Sequence, residues 1–133
     1  MQTNPYSQYQ NQSIMTSTPE ELTLMLYNGC LKFMSIAKTA MEEKNIQEKN
    51  DNLQKAQAIV AELEGSLDMK YDISKNLWQL YDFVMDRLVN ANIKNDKQAL
   101  EDARAIITDL RDTWKEAILI ARTNSAPTDQ THA

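Results

Sequence analysis

The sequence predicts an all-α protein, an antiparallel up-down four-helix bundle with a mobile N-terminal arm, on three observations. Only two glycines and three prolines occur in 133 residues, in a chain otherwise rich in helix formers. Apolar residues recur at helical spacing over four long segments. The connectors between those segments are short, which sets successive helices side by side in opposite directions. The length is that of one domain.

Residues 1–15 are rich in Gln, Asn and Ser but punctuated by Pro5, Tyr6, Tyr9, Ile14 and Met15, and are expected to form an arm outside the bundle. The bundle itself is assigned to residues 16–122. Helix 1 (18–43) opens on "STPEE". Thr18 suits the N-cap, Pro19 the first helical position, and Glu21 reaches back to complete a capping box. At 1.5 Å per residue this helix is roughly 37 Å long. The charged stretch "EEKNIQEKND" reads as a solvated turn leading into helix 2 (47–67), whose stripe is Leu53, Ala56, Ile59, Val60, Leu63 and Leu67. Helix 3 (74–94) is closed by Asn95 in the left-handed conformation. Asp96 caps helix 4 (97–122), whose stripe runs from Leu100 through Ile107 and Trp114 to Ala121. Residues 123–133, "TNSAPTDQTHA", read as a frayed, disordered tail.

A net charge of −5, with 14 basic residues scattered among 19 acids, argues against nucleic acid, which needs a basic stripe. No apolar run approaches the roughly 18 residues of a membrane span, and the N-terminus has neither the basic nor the apolar part of a secretory signal. Cys30 is the single cysteine, so no intrachain disulfide forms and a reducing compartment fits. Cytoplasm is the expected location, without stable membrane insertion.

Convergent reactive groups are missing. His132, the single histidine, stands one residue from the end of a polar tail. There are no Glu-x-x-His pairs for a di-iron bundle, no Gly-rich phosphate loop and no Cys/His spacing for zinc. Cys30 falls on an apolar arc and reads as a core thiol. Glu20 and Glu21 read as a helix start rather than an acid/base pair. The expectation is no enzyme, no cofactor and no metal.

Helices 1 and 3 carry more apolar surface than one face needs. An ordinary surface helix has a stripe somewhat over about 100° wide. On helix 1, Leu22, Met25, Leu26, Cys30, Phe33, Ile36, Ala37 and Ala40 fill one arc, and Leu24, Tyr27, Leu31 and Met34 extend it to roughly 200°. On helix 3, the line of Leu77, Tyr81, Val84, Leu88 and Ala91, flanked by Ile73, Leu80 and Phe83, is joined by a second line of Trp78, Met85 and Val89. Two explanations compete. Both faces are covered inside the bundle, the usual fate of Met and aromatic stripes, or the second faces form a groove for an apolar partner helix. On the second reading the contacts are Leu24, Tyr27, Leu31 and Met34 with Trp78, Tyr81, Met85 and Val89, and the aromatic-bearing arm folds over the groove when the partner is absent. Asn92, a polar residue on the apolar arc of helix 3, is either a buried pin fixing register or a donor to a ligand. A further alternative is a structural or assembly protein whose apolar faces close a homo-oligomer.

"NPYSQYQ", "STPEELTLMLYNGCLKF", "KAQAIVAEL", "NLWQLYDFVMDRLVNANIKND" and "LRDTWKEA", in this order, resemble the FliS family of flagellin-specific export chaperones. The resemblance spans Asn4 to about Ile120. It implies a cytoplasmic antiparallel helical bundle, a monomer or weak dimer, that binds the disordered C-terminal region of flagellin. The family wraps that region around the bundle, prevents premature polymerisation and delivers the cargo to the flagellar type III export gate. It also implies that Tyr6 and Tyr9, with Ile14 and Met15 behind them, belong to a movable arm available to the export gate. The "LTLMLYNG" motif falls on Leu22 to Gly29, with Gly29 placed to let helices approach. The connector "LDMKYDISKN" departs from the family pattern in lacking a glycine.

Overall fold

The structure, a computed structural model, describes residues 18–131, with side chains as far as Asn124. Four helices follow one another: α1 (Pro19–Glu42), α2 (Ile46–Gly65), α3 (Asp72–Lys94) and α4 (Lys97–Thr131). Each packs against its neighbours in sequence, and α4 closes the ring against α1, so α1 and α3 face each other across the diagonal of a four-helix bundle.

The helix ends are set by the residues that read as caps. The Thr18 hydroxyl accepts from the Glu21 backbone N–H at 3.1 Å, and the Glu21 carboxylate accepts from that of Thr18 at 3.1 Å. Two orphan amides are thereby satisfied. Lys44, at φ 59°, turns the chain out of α1, and the Asn45 side chain caps α2 by accepting from Glu48 N–H at 3.1 Å. Only residues 43–45 of the charged stretch form the turn, α2 begins at Ile46, and Lys49, expected to be solvated, is buried. Asn95 closes α3 at φ 53° and ψ 43°. Asp96 then accepts from the amides of Gln98 and Ala99 at the start of α4.

The C-terminal expectation is corrected. The backbone of α4 stays helical to Thr131, well beyond residue 122. Among the described residues positive φ occurs at Lys44 and Asn95 alone, so nothing in α4 takes the left-handed conformation that ends a helix. Polar composition reports solvent exposure, and it was read as a helix end that the backbone does not make.

The core is centred on Tyr27, Met34, Leu53, Tyr81, Leu88 and Leu100, all essentially inaccessible. Each such side chain contributes about 1.5–3 kcal/mol by leaving water. The Tyr27 and Tyr81 hydroxyls meet across the bundle diagonal at 2.6 Å, each answering the other's polar atom. The Trp114 ring stands edge-on to Tyr27, 6.4 Å between centroids, and its indole N–H donates to the Glu20 carbonyl at 2.9 Å. Burial pushes both tyrosine hydroxyls above their ordinary range.

This geometry corrects three expected groove residues. Tyr27, Met34 and Tyr81 are sealed inside the protomer. A helical wheel shows how wide an apolar arc is but not where the bundle axis falls within it. On α1 the axis falls on the line Tyr27, Cys30, Met34, Ala37, between α2 and α4, at the border of the two arcs.

A candidate docking furrow between α1 and α2

Because the axis lies there, part of the arc assigned to the core turns outward. Leu22, Met25, Leu26 and Phe33 are only half-buried, and they face α2. Opposite them α2 presents Lys55, Ala58 and Ile59. The small Ala58 leaves a hollow of about 270 Å³ above Gly29. It continues into one of about 400 Å³ between Leu22, Leu26, Ala58, Ile59 and Glu62. Gly29 sets the spacing: a Cβ there would stand 3.3 Å from Ile59 Cδ1, so the bare backbone lets α1 come close to α2. The Lys55 ammonium lies 5.4 Å from the centre of the Phe33 ring, a cation over an aromatic face at the furrow's rim. The surface is apolar with a charged margin, suited to an apolar helix face.

The other expected contacts divide by neighbour. Leu24 and Leu31 are half-buried on the side of α1 that carries Asn28 and Lys38. Asn28 accepts from Arg111, and Lys38 pairs with Glu101 at 2.9 Å, so that side is held against α4. On α3, Trp78, Met85 and Val89 share the flank with Asn92, whose amide donates to Asn50 of α2 at 2.8 Å. Asn92, half-buried, thus has a partner within the bundle. Met85 packs against the core, Val89 is half-buried and Trp78 is 42% exposed. Ile73, Leu80 and Phe83 are exposed on the opposite flank, where the Arg87 guanidinium stands 5.7 Å from the Phe83 ring. Leu24, Leu31, Trp78, Met85 and Val89 therefore do not join into one groove. Tyr6, Tyr9, Ile14 and Met15 lie outside the described residues.

Leu22, Met25, Leu26 and Phe33 lie on the first apolar arc of the helix and are not among the expected groove contacts. The signal that points outward is the pairing of Gly29 with Ala56 and Ala58, small residues that bring two backbones together and leave the flanking large side chains unroofed.

Nothing at the furrow is chemically reactive. Burial holds the Cys30 thiol up at about 12, and its Sγ lies 3.8 Å from the Ala56 carbonyl. A thiol so buried is not a nucleophile at neutral pH. Among the described residues no group of three or more His, Cys, Asp or Glu is placed to hold a metal ion.

Comparison with known proteins agrees with the resemblance. The family pattern of flagellar protein FliS matches residues 2–121. The flagellar secretion chaperone FliS of Bacillus subtilis (strain 168) is 50% identical over 115 residues, covering 86% of each chain. The protein of the same name from Escherichia coli (strain K12) is 35% identical over 121 residues, 88% of this chain and 89% of the other. A crystal structure of a bacterial flagellar chaperone superposes with a TM-score of 0.70 at 23% identity, over 85% of this chain and 94% of that one, a likeness of fold. Matched over residues 2–121 by the family pattern and half identical over 115 residues to a secretion chaperone of that name, the chain belongs to the FliS family.

Proposed function

We propose that this chain is a flagellin export chaperone. It binds the disordered C-terminal region of flagellin in the cytoplasm, keeps it from polymerising early and hands it to the flagellar type III export gate. The observation that carries the reading is the apolar furrow between α1 and α2, which the described residues leave uncovered in a chain of this family. No helix among the described residues is long and apolar enough to cross a membrane.

A disordered cargo loses ordering entropy when it docks, about 2–5 kcal/mol or more of the gross interaction. Apolar burial at roughly 25 cal/mol per Å² offsets that loss and leaves a moderate affinity. Moderate affinity suits a cargo that must be released. In the same reading the arm bearing Tyr6, Tyr9, Ile14 and Met15 rests on the furrow when cargo is absent and reaches the gate when cargo is bound.

The test is co-purification with full-length flagellin and with flagellin lacking its C-terminus, alongside heat denaturation with a C-terminal flagellin peptide. Retention of full-length flagellin only, and a melting temperature that rises with peptide concentration, are expected. A concentration-dependent oligomer indifferent to the peptide would replace the chaperone with an assembly subunit.

A further inference from the structure

The seam between α1 and α2 does not end at Phe33. One turn on, a hollow of about 310 Å³ is lined by Ile36, Thr39 and Ala40 of α1 together with Glu43 and Glu48. It shares Ala40 and Asn45 with a last hollow of about 400 Å³, where Met41, Lys44, Ile46, Lys49 and Asn95 complete the wall. Leu22 and Ala40 stand about 27 Å apart along α1, the length of roughly 18 helical residues.

The last hollow is lined by two lysines and no acid. Lys49 is 7% exposed, yet it takes part in no ion pair among the described residues. Its ammonium donates to two neutral oxygens, the Asn92 carbonyl at 3.1 Å and Asn95 Oδ1 at 3.3 Å. That leaves one of its three donors unassigned. A buried cation without an anion is costly, and the cost falls when a carboxylate arrives. Lys44 lines the same hollow, and Ala40, Met41 and Ile46 give it an apolar wall. The hollow before it is lined by Glu43 and Glu48 instead. Charge therefore changes sign between these two hollows.

We propose that this end hollow receives the terminal carboxylate of the bound flagellin segment, which sets the direction of the cargo. The segment lies parallel to α1, its apolar face along Leu22 to Phe33 and its last residue beside Lys49 and Lys44. A docked helix in that direction also presents the negative end of its dipole to the two ammoniums. This inference rests on the flagellin reading above.

The test is calorimetric titration of the full chain with a C-terminal flagellin peptide made as the free acid and as the carboxamide. The free acid is expected to bind about ten- to a hundredfold more tightly, the range of a charge-assisted hydrogen bond. In Lys49→Met the acid and amide should bind alike. Because Lys49 also ties down the end of α3, Lys44→Gln supplies a milder variant, expected to shrink the acid–amide ratio. A photoreactive residue near the peptide's C-terminus should cross-link to Met41 or Ile46. Equal affinity of acid and amide for the unaltered protein, or cross-linking at Leu22 or Ala58, would overturn the direction while leaving the flagellin reading intact. Failure of both peptides to bind would overturn that reading and this inference together.

Discussion

The inward line of α1 and its flank toward α2 are both apolar in sequence and have opposite fates. On the inward line Tyr27 and Met34 are sealed, with Trp114 of α4 across Tyr27, while Leu24 and Leu31 on the flank toward α4 are half-buried. Toward α2, Leu22, Met25, Leu26 and Phe33 are left half-open. The difference comes from the neighbour. Helix α4 sets the Trp114 indole across Tyr27, whereas α2 sets Lys55, Ala58 and Ile59 opposite the furrow. A helix that meets small residues packs close at the contact line and leaves a trough beside it. Exposed apolar surface is thus made by what stands opposite, as much as by the residues that are exposed.

The largest effect expected is on the sealed side. Met34→Glu places a charge among buried core residues and should cost about 4 kcal/mol or more, enough to abolish the helical circular-dichroism signal at 25 °C. On the open side, Ala58→Glu should leave the helical signal and melting temperature nearly unchanged while flagellin-peptide affinity falls at least tenfold, about 1.4 kcal/mol, by titration. If Ala58→Glu unfolds the chain, the furrow is core and the contrast between the two sides disappears.

The tyrosine pair gives a middle-sized effect. Tyr27→Phe or Tyr81→Phe leaves one buried hydroxyl without a partner and should cost about 1–3 kcal/mol in denaturant unfolding. The double variant removes both polar atoms and should cost less than the two single losses added together. Strict additivity would mean that the 2.6 Å contact is not coupled.

Gly29→Ala sharpens the contrast more gently. The new methyl would meet the flexible end of Ile59 at 3.3 Å, so a few tenths of an ångström of yielding accommodates it. Helix propensity favours Ala over Gly by about 1 kcal/mol. A small rise in melting temperature with weaker peptide binding is expected, since the furrow narrows.

The smallest effect is electrostatic. The hydrogen bond from Lys38, and then the nearby Arg104 charge, hold the Glu101 carboxyl below its ordinary value of 4.5, outweighing the upward push of burial. A carboxyl depressed in the folded state adds stability that is fully present above 4.5 and is lost as pH falls below it. Both side chains are well exposed, 39% and 40%, so the contribution is a few tenths of a kcal/mol at most. Glu101→Gln should slightly flatten the acid limb of stability against pH.

How far the sequence carried the fold depends on the kind of signal. The Thr18 box, the Asn95 turn and the Asp96 cap were legible because each is a local bond between residues three or four positions apart. The polar tail misled because exposure and helix termination share a composition. The site was half legible. The excess of apolar surface on α1 and α3 could be counted, but its division into core and furrow could not. Tyr27, Met34 and Tyr81 went to the core and Leu22, Met25, Leu26 and Phe33 to the furrow because that division depends on where the bundle axis crosses each helix. Asn92 illustrates the same limit: its place on an apolar arc was visible, its partner Asn50 was not.

By itself the sequence determined four helices, their ends, their short connections and a surplus of apolar surface, because hydrogen bonds near in sequence and a period of 3.6 residues dictate these. Tertiary structure alone decided which apolar residues are hidden, that a furrow opens over Gly29, and that Lys49 is buried without an anion beside it among the described residues. Those depend on the side chains a second helix sets opposite, and no property of a single helix contains them.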